Sequence, residues 1–190
     1  MASTSDFRNG LTIVWNGELW TIIEFQHVKP GKGGAFVRTK LRNVRTGRVN
    51  DNTFRAGEKV ETARIERHAY QFLYEDDFGL HFMNTETYEQ TALRPELVSA
   101  REYIKEGANI DILIYSETGE ALATEMPKTV ELAVVETDPG LKGDTATGGS
   151  KPAKLESGAT VNVPLFINEG DIIRVGIEAG EYLTRVSTSN

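Results

Sequence analysis

From Leu11 to Val186 the chain consists almost entirely of short β-branched and aromatic runs, each closed by a turn rich in glycine, asparagine or acid. Many such runs at close spacing restrict a chain to small antiparallel barrels or sandwiches. Leu11–Trp15 and Leu19–Phe25 are joined by Asn16-Gly17, the residue pair that a tight hairpin turn prefers. Ala35–Val44 follows, Thr46-Gly47 turns the chain into Arg48–Phe54, and Val60–Ile65 can close a barrel of five or six strands. The middle of the chain reads Ala69–Tyr74, Leu80–Met83, Tyr88–Leu93, Ile110–Tyr115 and Ala121–Glu125 as strands. The last part reads Thr129–Thr137 as a strand, then a polar, glycine-rich loop over residues 138–152, then Thr160–Ile167, Asp171–Ile177 and Tyr182–Val186 as strands. One stretch breaks the rhythm: Glu96–Ile104, with Pro95 at its first turn, predicts the chain's one convincing helix. The expectation is an all-β protein of three small β-barrels, over residues 1–63, 64–128 and 129–190, with Met126-Pro127-Lys128 as the second linker.

A length of 190 residues suits two to three small domains, and 39% hydrophobic with 26% charged residues is ordinary for a globular chain. No apolar run approaches the roughly 18 residues of a membrane-spanning helix. Met1-Ala2-Ser3-Thr4-Ser5-Asp6 lacks the basic and then apolar regions of a secretory signal. There is no cysteine, which removes disulfides, thiolate metal sites and cysteine nucleophiles together and suits the cytoplasm.

The net charge is −7, but it is unevenly spread. Residues 1–63 carry ten Lys/Arg against six Asp/Glu, residues 64–128 six against thirteen, and residues 129–190 five against nine. No acid occurs from Phe25 to Asn50, a window that holds Lys29, Lys32, Arg38, Lys40, Arg42, Arg45 and Arg48. Its centre is Lys29-Pro30-Gly31-Lys32-Gly33-Gly34, read as a hairpin tip with Lys32 at the apex. Proline pre-sets one backbone angle there and glycine opens conformations closed to other residues. Period-two alternation puts Phe36, Arg38, Lys40 and Arg42 on one face, a cationic stripe leading from the tip. A basic front third on an acidic body predicts one end that faces a polyanion.

No catalytic constellation accompanies this tip. His27, His68 and His81 have none of the close spacings of a zinc site, and Ser150 in Gly-Gly-Ser-Lys-Pro is no nucleophile elbow. Gly31-Lys32-Gly33 and Gly143 to Ser150 both miss the Lys-Ser/Thr that ends a phosphate-binding loop, and neither leads into a helix. The acids Glu75, Asp76, Asp77, Glu86 and Glu89 form no calcium-binding ladder. The sequence therefore predicts no catalytic residue, no metal and no cofactor. An exposed lysine between glycines can contact phosphate, enter a narrow pocket, or carry a covalent modification.

Several motifs in fixed order resemble the bacterial elongation factor P family. They are Asp6-Phe7-Arg8-Asn9-Gly10-Leu11, Val28-Lys29-Pro30-Gly31-Lys32-Gly33, Thr53-Phe54-Arg55, His81-Phe82-Met83-Asn84 and Tyr88-Glu89-Gln90, then residues 137–145, Val163-Pro164-Leu165-Phe166 and residues 180–186. The resemblance runs essentially end to end. It implies an L-shaped protein, an SH3-like N-terminal domain followed by two OB-type domains, that acts as a monomer. Its expected role is to bind the 70S ribosome beside peptidyl-tRNA and to stimulate peptide-bond formation at consecutive prolines. Lys32 matches the lysine that such factors carry to the peptidyl-transferase centre, commonly lengthened by a modifying enzyme. The context Phe25–Lys32 is similar to the Gram-positive type, which favours an aminopentanol group over β-lysine. By the same resemblance Arg38, Lys40 and Arg42 would contact tRNA or rRNA. Gly143, Asp144, Thr145, Gly148 and Gly149 would approach the exit-site codon of mRNA, and Tyr182 and Arg185 the anticodon stem. Two other readings stay open: a carrier domain bearing a prosthetic group on Lys32, and a general single-strand RNA binder using Tyr70, Phe72 and Tyr74.

Overall fold

The computed structural model describes residues 1–139 and 149–188, and β-strand dominates them. The first sheet contains β1 (Ala2–Ser3), β2 (Thr12–Trp15), β3 (Glu18–Val28), β4 (Phe36–Asn43), β5 (Val49–Arg55) and β6 (Lys59–Thr62), in the order β1-β6-β2-β3-β4-β5. Asn16 and Gly17 take positive φ of 52° and 77° between β2 and β3, the turn that this dipeptide predicts. Inward residues Ile13, Trp20, Ile22, Val37, Leu41 and Phe54 form the core, with Phe7 edge-on to Phe54 at 5.3 Å. Each of these large side chains stabilises the sheet by about 1.5–3 kcal/mol through burial. Buried Thr4 ties the start of the chain to the β5–β6 connection, its hydroxyl accepting from Gly57 N–H at 2.8 Å.

The second sheet contains β7 (Ile65–Asp76), β8 (Gly79–Asn84), β9 (Gln90–Leu93), β10 (Asn109–Tyr115) and β11 (Glu120–Glu125), in the order β11-β10-β7-β8-β9. The helix expected over Glu96–Ile104 is absent. Pro95–Leu97 and Arg101–Tyr103 are single 3-10 turns, separated by extended Val98 and left-handed Ala100 at φ 50°. Burial explains the difference. Val98 and Tyr103 are both buried, and residues five apart sit about 140° apart around an α-helix, wider than the roughly 100° stripe that a surface helix buries. A stretch this short has too little propensity to resist that demand.

The third sheet contains β12 (Thr129–Thr137), β13 (Ser150–Leu155), β14 (Thr160–Pro164), β15 (Ile172–Gly176) and β16 (Glu181–Ser187), in the order β14-β13-β12-β15-β16. Strand β13 begins inside the stretch expected to be loop. Its Lys151, Ala153 and Leu155 point inward while Pro152 points out. Buried Lys151 donates its ammonium to the Asp138 carbonyl, which keeps a lysine tolerable at an inward position. The core of this sheet is Leu132, Val134, Leu155, Val161, Val163, Ile167, Ile173 and Val175, and Tyr103 inserts into it.

The chain divides into two compact units: Met1–His68 with Asp111–Thr124, and Ala69–Ile110 with the described residues from Glu125 onward. Among the described residues no helix is long and apolar enough to cross a membrane. The all-β expectation is borne out in all three sheets.

Candidate functional site

Lys29 to Gly34 are all exposed, beyond the last paired residues of β3 and β4, Val28 and Phe36. Strand β3 is the longest of its sheet and continues past Thr21, its last residue paired with β2. The tip is therefore lifted clear of β2, and Ala35 anchors its return by accepting from Ala56 N–H at 3.0 Å. Gly33 adopts φ 108°, a conformation closed to an L side chain, and the nearest atom to a Cβ there is Pro30 Cγ at 3.9 Å. No atom lies within 4 Å of a Cβ added at Gly31 or Gly34. Lys32 thus stands on a narrow stem that folds back on itself, free to enter a channel.

On β4, Arg38, Lys40 and Arg42 are exposed while Val37, Thr39 and Leu41 are buried, the stripe that alternation predicts. The sheet also brings acids beside it, which reading along the chain misses. Register slips between Ile22↔Leu41 and Glu24↔Lys40, so Ile23 is a bulge residue. Ile22 faces the core, and without the bulge Glu24 would face it too; the extra residue turns Glu24 outward. Glu24 then meets Lys40 at 3.3 Å, and Asp51 on β5 pairs with Lys40 from the other side. Lys40 is the partly neutralised member of the stripe. Arg38 lies over the Phe36 ring at 5.5 Å, held flat along the face. Arg45, from the same acid-free window, is bound to Glu120 at 2.6 Å.

In the third sheet, Gly149 is half-buried just before β13. Gly143, Asp144, Thr145 and Gly148 lie outside the described residues. Tyr182 and Arg185 have an odd spacing that would put them on opposite faces of a regular strand. Register along β16 slips between Arg174↔Thr184 and Val175↔Tyr182, so Leu183 is a bulge and both residues share the face of Ile173 and Val175. Tyr182 packs against the core. Arg185 lies over the Phe166 ring at 5.2 Å, and its Nη1 is 3.6 Å from buried Asp171. The turn before β16 is fixed by Gly180, where φ is 63° and a Cβ would sit 2.8 Å from the Tyr103 hydroxyl. Glu24, Asp51, Phe166 and Asp171 are the neighbours that sequence reasoning missed. Only Phe166 left a sequence signal, the Val-Pro-Leu-Phe run. Among the described residues no three metal-ligating side chains gather.

Comparison with known proteins gives this geometry a family. Residues 3–60 match the elongation factor P KOW-like domain, residues 65–123 the elongation factor P OB domain, and residues 130–185 the elongation factor P C-terminal domain. The elongation factor P of Salinibacter ruber is 60% identical over 190 residues, covering 100% of this chain and 99% of the relative. That of Moorella thermoacetica is 56% identical over 186 residues, covering 97% of this chain and 100% of the relative. Among solved structures, "Eukaryotic translation initiation factor 5A from Methanococcus jannaschii" shares the fold, with a TM-score of 0.51 and 21% identity, covering 66% of this chain and 90% of that one. The chain belongs to the elongation factor P family of translation factors.

Proposed function

We propose that the protein binds the 70S ribosome beside peptidyl-tRNA and speeds peptide-bond formation where consecutive prolines stall it. The observation that carries this reading is Lys32, exposed on a glycine stem at the end of the longest hairpin in its sheet. A side chain so presented reaches into a confined centre without bringing a folded domain with it. Proline restricts attack on the peptidyl ester, and a proline-rich nascent chain pulls that ester out of line. Correct positioning is worth on the order of 7–11 kcal/mol in ideal intramolecular reactions, so a factor supplying part of it accelerates the step without acid–base chemistry. The ribosome remains the catalyst.

In this proposal residues 1–63 carry the tip, residues 64–128 form the connecting OB-type domain, and residues 129–190 the second. A cytoplasmic enzyme lengthens Lys32, with aminopentanol the favoured group. Arg38, Lys40 and Arg42 hold RNA backbone, Lys40 being shared with Glu24, Tyr182 and Arg185 approach the anticodon stem, and the loop holding Gly143, Asp144, Thr145, Gly148 and Gly149 approaches the exit-site codon. The protein works as a monomer. Reconstituted translation of a tri-proline message tests the whole. Modified protein should relieve the stall, and no relief would sink the proposal. Intact mass of protein from its native host separates aminopentanol from β-lysine, and either from the prosthetic group of a carrier.

The Glu24–Lys40 pair yields a smaller expectation. Exposed ion pairs are worth about 0.2–1 kcal/mol, so Glu24→Gln should tighten ribosome binding by about 1.4- to fivefold by freeing Lys40 for phosphate. Filter binding across a salt series measures this. A Glu24→Gln variant that binds more weakly than the parent would show that Glu24 itself makes the contact.

A further inference from the structure

The turn from Asn43 to Arg48 and the turn from Asn84 to Glu89 are built alike, bond for bond. In the first, Gly47 N–H donates to the Asn43 carbonyl at 2.9 Å, and Asn43 N–H to the Arg48 carbonyl at 2.8 Å. Arg45 and Thr46 N–H donate to the Asn43 side-chain oxygen at 3.0 and 2.9 Å. In the second, Tyr88 N–H donates to the Asn84 carbonyl at 3.0 Å, and Asn84 N–H to the Glu89 carbonyl at 2.9 Å. Glu86 and Thr87 N–H donate to the Asn84 side-chain oxygen at 2.8 and 3.0 Å. A third turn, from Tyr115 to Glu120, repeats the Gly119 N–H to Tyr115 carbonyl bond at 2.8 Å. In each, the residue after threonine has positive φ: Gly47 at 70°, Gly119 at 70°, and Tyr88 at 61°.

Glycine is what this geometry selects, because a Cβ crowds the neighbouring carbonyl there. Tyr88 has no packing reason to replace it, since it is 71% exposed. Among the described residues, the other two non-glycine positions with positive φ have local explanations. Asn16 belongs to the residue type favoured in its hairpin turn, and Ala100 packs against the third core. Of these three, Tyr88 alone is bulky, strained and in water. A chain that breaks its own local rule to hold an aromatic ring in solvent keeps that ring for a partner.

We propose that Tyr88 is a docking residue for a basic, arginine- or lysine-rich protein segment. Its neighbours decide the chemistry. Glu86 and Glu89 are exposed on the same turn, and residues 64–128 carry thirteen acids against six bases. A ring on a turn that also exposes two carboxylates attracts a guanidinium or ammonium group, and the same carboxylates repel a phosphate backbone. On the proposed function that segment belongs to a ribosomal protein, and this part of the inference rests on that reading.

Tyr88→Gly in the full chain gives two opposite signatures. Its unfolding midpoint should rise by about 2–4 °C as backbone strain is relieved, while its affinity for purified 70S ribosomes falls about tenfold. Tyr88→Phe should keep affinity within about twofold, because the ring face remains. A photo-crosslinking p-benzoylphenylalanine at position 88 should attach to a ribosomal protein. The proposal is overturned by a Tyr88→Gly variant that binds ribosomes like the parent, by a midpoint that does not rise, or by crosslinks to rRNA or tRNA. Titration with a nona-arginine peptide needs no ribosome. Tyr88→Gly should weaken that binding at least about threefold and Glu96→Gln should not, and equal binding by Tyr88→Gly and the parent would also overturn the proposal. Failure of the parent to bind ribosomes would instead count against the proposed function, and the peptide titration would then decide on Tyr88.

Discussion

Lys32→Ala is expected to reduce relief of a tri-proline stall to the level seen without the factor, a loss of at least about tenfold, with the fold untouched. Both halves follow from the position of the side chain. Lys32 and its neighbours from Lys29 to Gly34 are exposed, and Gly31 and Gly34 stand in open space, so truncation removes little packing. Substitutions at such sites usually stay within about 0.5 kcal/mol, which moves the unfolding midpoint by less than about 2 °C. The rate effect has a different scale. Each 1.4 kcal/mol or so of positioning is a factor of ten, and ideal positioning is worth several times that. Lys32→Arg keeps the charge but offers a planar guanidinium in place of the amine that a modifying enzyme would extend. It should therefore fail as badly as alanine. Single-turnover peptide release or peptidyl transfer on a stalled complex reads these outcomes. Undiminished relief by Lys32→Ala would remove the tip from the mechanism, and full activity of Lys32→Arg would reduce the role of the tip to charge alone.

The parts of the molecule legible in the sequence are those fixed by local chemistry. Asn16-Gly17 specifies its own turn, alternation along β4 specifies which of Arg38, Lys40 and Arg42 face out, and Thr129–Thr137 reads as a strand from end to end. The parts that were not legible depend on a partner strand or on the core. The bulges at Ile23 and Leu183 shift faces without any unusual residue to announce them, so the Glu24–Lys40 pair and the shared face of Tyr182 and Arg185 emerge only from register. The helix signal over Glu96–Ile104 loses because Val98 and Tyr103 must both reach a core. Ser150–Pro152 reads as the end of a loop because polar residues and proline fill it, yet the strand that begins there buries Ala153 and Leu155 completely or nearly so. A strand is tolerant of outward Pro152 and of Lys151 once that ammonium finds the Asp138 carbonyl. The charge reading was sound in one dimension only. An acid-free window along the chain is not an acid-free surface, because a sheet places residues side by side that the sequence keeps apart.

Gly79→Ala is expected to be the most destabilising single-methyl change in the second sheet, at about 3–5 kcal/mol. Gly79 opens β8 with φ 134°, and a Cβ there would sit 2.4 Å from the Leu93 carbonyl oxygen of β9. That oxygen is backbone, so it cannot swing aside like a side chain. Relief would require β9 to move, and Leu93 pairs with Leu80 while both side chains are buried. The added methyl thus breaks either the turn after Asp76 or the packing of β8 on β9. Gly119 supplies the control. It also has positive φ, 70°, but a Cβ there meets nothing within 4 Å. Gly119→Ala therefore bears only the backbone strain, about 1–2 kcal/mol. The unfolding midpoint should fall by roughly 10 °C for Gly79→Ala and by no more than a few degrees for Gly119→Ala. Equal losses in the two variants would mean that β9 gives way freely and that the close approach of Leu93 does not constrain the sheet.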